Sequence, residues 1–124
     1  MQLSAVRLFV RELAPARVFY QQALGLELRL DQPQQGFCLF RSAGLDLLLE
    51  RVPPEAPAEE QALVGRFTGL SFRVEDIRAS HAALGAGGVR FDGEPELQAW
   101  GGWLATLFDP AGNGLQLVQP PAGA

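Results

Sequence analysis

Two side chains on which enzymes and metal centres often depend are nearly missing. The 124 residues include one Cys, Cys38, and one His, His81. A single Cys excludes a disulfide framework within the chain, and one Cys with one His exclude a Cys/His zinc site or a thiolate cluster. Any Ser-His-Asp or Cys-His centre would have to use His81. Lysine is absent and all ten basic residues are Arg, which removes Schiff-base chemistry and the phosphate-gripping lysine of P-loops. The formal charge is −4. No basic stripe exists to release counterions from a phosphate backbone, so nucleic acid is excluded as a partner. No apolar run approaches the roughly 20 residues that cross a bilayer, which excludes a helical membrane span. The opening Met1-Gln2-Leu3-Ser4-Ala5-Val6-Arg7 lacks the basic and apolar regions of a signal peptide, and the expected compartment is the cytoplasm.

What remains is a soluble globular composition, 48% hydrophobic and 19% charged, long enough to bury one real core. The chain also reads twice. Val10-Arg11-Glu12-Leu13 matches Val74-Glu75-Asp76-Ile77 at a spacing of 64 residues. Each follows a strand-like stretch and precedes an Ala-rich helical stretch that ends in glycine, the residue that enters the left-handed region without strain. Downstream, Ala43-Gly44-Leu45-Asp46-Leu47 resembles Asn113-Gly114-Leu115-Gln116-Leu117. Each half therefore reads strand, helix and three strands. The first gives residues 3–10, 14–24, 26–31, 37–41 and 45–52. The second gives 67–74, 77–86, 89–91, 103–108 and 115–119. The predicted fold is α+β: a single domain over 1–124, with module 1 at 1–52, a linker at 53–66 and module 2 at 67–119. Two tandem βαβββ modules would form a curved mixed sheet with a groove and helices on its outer face. The linker, opening Pro53-Pro54-Glu55-Ala56-Pro57, is expected to be extended and solvated. The tail Pro120-Pro121-Ala122-Gly123-Ala124 is expected to fray.

Alternation assigns strand faces. Val6, Leu8 and Val10 share the helix side, leaving Ala5, Arg7 and Phe9 opposite. Leu70, Phe72 and Val74 leave Gly69, Ser71 and Arg73 opposite. Leu45, Leu47 and Leu49 leave Asp46, Leu48 and Glu50. Leu115 and Leu117 leave Gln116 and Val118. These second faces are mixed in polarity, as a ligand groove requires.

Three passages carry a resemblance. They are Leu8-Phe9-Val10-Arg11-Glu12-Leu13 leading to Phe19-Tyr20-Gln21-Gln22-Ala23-Leu24-Gly25-Leu26, then Phe72-Arg73-Val74-Glu75-Asp76-Ile77, then Asp109-Pro110-Ala111-Gly112-Asn113. With the repeat, the chain resembles the vicinal oxygen chelate superfamily of glyoxalase I, bleomycin resistance proteins and extradiol dioxygenases. Metal-dependent members hold a divalent ion with a His in the first strand, a carboxylate or equivalent in the fourth, a His starting the fifth and a Glu in the eighth. Here those positions fall on Ala5, on one of Asp46, Leu48 or Glu50, on Gly69 and on Gln116. Ala and Gly have no ligand atoms, so the expectation is no metal and no cofactor.

The resemblance then points to the metal-free bleomycin-resistance branch, through Trp100-Gly101-Gly102-Trp103 running into Asp109-Pro110-Ala111-Gly112-Asn113. In that branch a Trp stacks on planar parts of the ligand, and Trp100 or Trp103 is the candidate. The expected partner is a small molecule, bound by a homodimer. Candidate ligand-binding residues are Trp100, Trp103, Arg7, Phe9, Arg73, Asp46, Glu50 and Gln116. Arg7 and Arg73 either grip a ligand acid with the guanidinium fork or form ion pairs with Asp46 and Glu50. The rival is a glyoxalase-like lyase or isomerase, or a dioxygenase-type enzyme, for which Glu50 is the one candidate base. A regulatory module without a ligand is a third reading. His81 falls near the packed stripe of its helix and Cys38 amid apolar strand residues, and both read as structural.

Overall fold

The structure, a computed structural model, describes residues 1–123. The chain forms two compact units: Met1–Arg66 with Pro110–Gly112, and Phe67–Asp109 with the segment from Asn113 onward. Each unit builds its own mixed sheet on the strand–helix–strand pattern of the tandem modules.

In the first unit, β1 (Val6–Val10), β2 (Glu27–Gln32), β3 (Phe37–Ser42) and β4 (Leu45–Arg51) form a four-stranded sheet in the order β1-β4-β3-β2. β1 and β4 are parallel, and the others pair antiparallel. Leu8, Val10, Cys38, Phe40, Leu47 and Leu49 are buried on one face. The helix that covers them starts as α1 (Leu13–Val18) and widens into a π-helical turn over Phe19–Ala23. Sequence periodicity gives one continuous helix over 14–24. The widened turn has a packing consequence: it lets the consecutive residues Phe19 and Tyr20 both point inward, which a regular 100° step does not. Their rings meet edge to face at 5.0 Å, and Tyr20 lies 6.1 Å from Phe40. Pro15 is tolerated because it sits in the first turn, where its N–H would have no partner.

The linker departs from the extended crossover expected of it. Residues Ala58–Gln61 form a short helix, α2, behind Pro57. The Gln61 side chain donates through Nε2 to the carbonyls of Pro53 at 2.8 Å and Pro54 at 3.2 Å. Prolines supply no backbone donors here, and the Gln61 amide gathers their carbonyls, that of Pro53 also accepting from Ala56 N–H at 3.0 Å. Val64 then bridges to Phe9 in parallel.

In the second unit, β5 (Phe67–Arg73), β6 (Arg90–Phe91), β7 (Glu96–Leu97), β8 (Trp103–Phe108) and β9 (Gly114–Gln119) form a sheet in the order β5-β9-β8-β6, with β7 also on β8. The two-residue β7 is too short to alternate and left no sequence signal. α3 (Ile77–Ala86) begins where the Asp76 side chain accepts from the Ala79 amide at 3.1 Å, a standard N-cap. It covers Ala105, Leu107, Leu115 and Leu117, all buried. The turn between β8 and β9 is closed by Asp109, whose carboxylate accepts from the Asn113 backbone N–H at 2.9 Å and from Asn113 Nδ2 at 3.0 Å. Both residues are buried, so this part of the motif is a structural clasp. Of the tail expected to fray, Pro121 lies beside Gly101, and Ala124 is outside the described residues. Among the described residues no helix is long and apolar enough to cross a membrane.

Candidate functional site

Each sheet leaves one face uncovered by its helix, and these faces hold most of the candidate residues. In the first unit the face is built from cross-strand rows: Phe9–Glu50–Phe37 and Arg7–Leu48–Leu39, with Asp46 opposite Arg41. Arg7 donates to both carboxylate oxygens of Glu50, the second contact being 3.1 Å, and its guanidinium lies 5.2 Å from the Phe9 ring centre. The hydrogen bond that Arg7 donates to Glu50, and then the charge of Glu50, raise the Arg7 pKa further. Arg7, Phe9 and Glu50 are thus one unit of structure. A base needs a free lone pair aimed at substrate, and the Arg7 fork already engages both oxygens of Glu50.

Asp46 does not join them. It accepts from Arg41 Nε at 2.8 Å, and that hydrogen bond, together with the charge of Arg41, holds its carboxyl below the usual range. Asp46 and Glu50 are therefore each engaged by an arginine, and Glu27, the third acid of this face, stands opposite Arg41 with Arg29 at 3.5 Å. Arg41 as the partner of Asp46 is legible only once the β3–β4 hairpin register is known.

The second unit's face reads differently. Ser71, Gln116 and Thr106 stand side by side across β5, β9 and β8, and Arg73, Val118, Leu104 and Glu96 form the neighbouring row. Gln116 Nε2 donates to Thr106 Oγ1 at 3.3 Å. Arg73 is exposed, and among the described residues it has no ion pair, hydrogen bond or ring contact. The ion pair offered as its alternative role is not formed. Thr106 and Leu104 were not among the candidates, although alternation along 103–108 would have put them on the face of Gln116.

The two tryptophans separate. Trp103 shares the face of Ala105 and Leu107, and Arg78 of α3 lies 4.9 Å from its ring centre. It belongs to the helix side of the sheet. Trp100 is 53% exposed in the loop between β7 and β8. That loop is closed by Gly101 N–H to Gln98 O at 2.9 Å and Gln98 N–H to Gly102 O at 2.8 Å. The indole lies over the Gly102 α-carbon, where any Cβ would fall inside the ring. One ring face is covered by backbone and the ring is half exposed, the form of a stacking plate. His81 donates through Nε2 to the Gly93 carbonyl at 3.0 Å, and its ring centre lies 4.2 Å from that of Phe91. Cys38 is fully buried, and burial first, then the charge of Asp31, pushes its thiol up to about 11. Neither sits on an uncovered face.

The register also narrows the metal question. Arg7 pairs with Leu48, and Ser71, 64 positions later, pairs with Gln116. Matched beyond the β5 irregularity, Gln116 corresponds to Leu48; matched before it, where Phe67 pairs with Gly114, Gln116 corresponds to Asp46, whose carboxylate Arg41 already engages. The family positions then read Ala5, Asp46 or Leu48, Gly69 and Gln116: at most one carboxylate, held by Arg41, and one amide, itself engaged with Thr106. Gly69 has φ +76° in an irregularity of β5, held by Thr68 Oγ1, which donates to Gly114 O at 2.8 Å and accepts from Leu70 N–H at 3.2 Å. This donor set does not fit a divalent transition metal. Among the described residues no three His, Cys, Asp or Glu side chains gather into a metal-binding group.

The comparisons agree with this architecture. The family model described as Glyoxalase/Bleomycin resistance protein/Dioxygenase superfamily matches residues 2–117. TnmS3, an antibiotic binding protein from Streptomyces sp. CB03234, is 31% identical over 97% of this chain and 96% of its own, with a TM-score of 0.75. A member of the same superfamily from Sphaerobacter thermophilus DSM 20745 is 25% identical over 96% and 97%, with a TM-score of 0.77. The fosfomycin resistance protein FosX from Listeria monocytogenes, 17% identical over 98% and 95% with a TM-score of 0.76, shares the fold. No curated protein matches the chain.

Proposed function

The chain belongs to the Glyoxalase/Bleomycin resistance protein/Dioxygenase superfamily, and on that premise we propose that it is a metal-free small-molecule binding protein. It sequesters a planar ligand, of the antibiotic kind or similar, and makes or breaks no bond. The observation that carries this is the donor set: Ala5 and Gly69 stand where metal-dependent relatives need His ligands, and beside them are at most the Arg41-bound Asp46 carboxylate and the Gln116 amide. Chemistry that polarises vicinal oxygens needs such an ion. The half-exposed Trp100 plate and the apolar residues of the uncovered faces supply area for a flat ligand, and the likeness to TnmS3 supports sequestration. Glu50 as a metal-independent base draws no support, because Arg7 engages both of its oxygens. The working form is a homodimer in the cytoplasm, as the family resemblance and the composition suggest.

Elemental analysis of the purified protein, with thermal-shift and Trp-fluorescence titration across planar antibiotics of both charge signs, tests the reading. The expected result is substoichiometric Ni, Zn, Fe and Mn and a saturable response to at least one planar compound. Stoichiometric metal, or silence across the whole panel, would overturn it.

A further inference from the structure

We infer that the uncovered face of the second module selects an aromatic acid, a planar ring system bearing a carboxylate, and that Arg73 is the residue that selects it. The inference rests on the ligand-binding reading above and adds to it the charge and shape of the ligand.

Sequence alone left Arg7 and Arg73 equivalent. The structure separates them by what each guanidinium already holds. On the first module's face Arg7 is engaged by Glu50 and Arg41 by Asp46. An incoming anion finds both of these guanidiniums engaged, and a third carboxylate, Glu27, stands opposite Arg41 to repel it. On the second module's face Arg90 lies over the Phe108 ring at 5.3 Å. Arg73 has neither a carboxylate nor a ring among the described residues, and the acid next to it in sequence, Glu75, makes no ion pair. Two further acids stand at the far edge of this sheet, each three strands from β5, or about 14 Å at ordinary strand spacing: Glu96 at the end of the Arg73 row, and Asp92, whose N–H donates to Thr106 O at 2.8 Å, at the end of the Ser71 row.

The neighbours of Arg73 fix the rest of the ligand. Val118 and Leu104 follow it in its own row, an apolar floor about as long as a fused bicyclic ring. The adjoining row offers the Ser71 hydroxyl, the Gln116 amide and the Thr106 hydroxyl, all neutral and able to donate or accept. A carboxylate in the Arg73 fork would lay its ring on Val118 and Leu104 and bring an adjacent hydroxyl to Ser71 and Gln116. Bidentate guanidinium–carboxylate geometry makes such a contact both strong and directional. The protein's net charge of −4 opposes anions at long range, so the preference has to be local.

Isothermal titration with three probes tests this: 1-hydroxy-2-naphthoate, its uncharged primary amide, and the planar cation 9-aminoacridine, each on wild type, Arg73→Gln and Arg73→Lys. The naphthoate is expected to bind wild type about tenfold or more tighter than the amide. Arg73→Gln brings the naphthoate to the affinity of the amide and leaves the amide unchanged, while Arg73→Lys retains part of the difference. Circular dichroism confirms that the exposed substitution leaves the fold intact. Equal affinity for acid and amide, or a preference that survives Arg73→Gln, overturns the inference. If 9-aminoacridine binds and the acid shows no advantage over the amide, the charge assignment falls while the ligand-binding reading stands. No binding of any probe at millimolar concentration counts against both.

Discussion

Replacing Gly102 with Ala tests how Trp100 is held. Gly102 is buried and its φ is not positive, so alanine carries no backbone penalty at that site. The added methyl instead occupies the volume of the Trp100 indole, and the ring must leave the loop. Trp100 is 53% exposed. For a side chain of roughly 250 Å², about 110 Å² is therefore covered. At about 25 cal/mol/Å², exposing all of it would cost roughly 3 kcal/mol. That is an upper bound, because the unfolded chain also covers part of the ring and the displaced indole finds other contacts. A loss of about 1–2 kcal/mol is expected, or roughly 4–8 °C in Tm for a chain of this size.

Trp103 would confuse the fluorescence, so Gly102→Ala is compared with its parent in a Trp103→Phe background. Trp100 is then the one tryptophan. The variant is expected to show red-shifted emission, faster quenching by iodide and weaker binding of planar ligands, with the far-ultraviolet spectrum unchanged. An emission maximum and quenching constant identical to the parent would refute the account of Trp100 as a plate seated on a glycine.

Two further outcomes follow from buried groups. Asn113→Ala removes the amide that donates to the buried Asp109 carboxylate at 3.0 Å; losing a hydrogen bond to a charged acceptor costs about 1.5–3 kcal/mol. Thermal melts should fall by roughly 6–12 °C, and a fall under 2 °C would show that the clasp is dispensable. The Cys38 thiol, pushed from 9.0 up to about 11 by burial and then by Asp31, keeps its proton longer in the folded chain than in the unfolded one. Folding stability should therefore decline as pH rises from about 9 to 11, by at most roughly 3 kcal/mol. Chemical denaturation of the wild type against Cys38→Ala across that range checks the sign, and a wild-type curve parallel to the variant's would refute it.

Much of the fold was legible because it is written in period two and in glycine. Alternation named the buried sides of β1 and β9 and that of β4 apart from Leu45, which is exposed; in β5 it named the less exposed side, where Leu70 and Phe72 are half-buried; and α3 was bounded by Asp76 and Gly87-Gly88. What failed depends on contacts distant in sequence or on elements too short to show a period. The linker helix exists because Gln61 satisfies carbonyls eight and seven residues back, which proline content cannot reveal. The π-helical turn is set by two aromatic rings competing for the same core, a tertiary effect. At the candidate site the face assignments were readable, but pairing was not. That Asp46 belongs to Arg41 depends on the β3–β4 hairpin register, and that Glu50 belongs to Arg7 depends on the parallel β1–β4 register. Composition supplied the absence of histidine at Ala5 and Gly69; the fourth-strand position falls on Asp46 or Leu48 according to the side of the β5 irregularity from which register is counted.

The second module has diverged from the first in its backbone as well as in its side chains. Ala5 precedes a strand that pairs regularly with β4, each residue from Val6 to Val10 taking the next partner from Leu47 to Arg51. Gly69, at the matching position, sits in an irregularity where the five residues of β5 from Phe67 to Ser71 span the three of β9 from Gly114 to Gln116. Its φ of +76° costs a non-glycine residue about 1–2 kcal/mol. The Thr68 hydroxyl bonds both Gly114 O and Leu70 N–H, and so fixes the extra residues in place of the missing ladder. A histidine at Gly69 would therefore have to strain the chain before reaching any ion. The same irregularity ends just before Ser71, where regular pairing with Gln116, Leu117 and Val118 resumes. It thus sets the register that places Ser71 beside Gln116 and Arg73 beside Val118. The feature that removes a metal-ligand position also assembles the neutral row and the open guanidinium next to it.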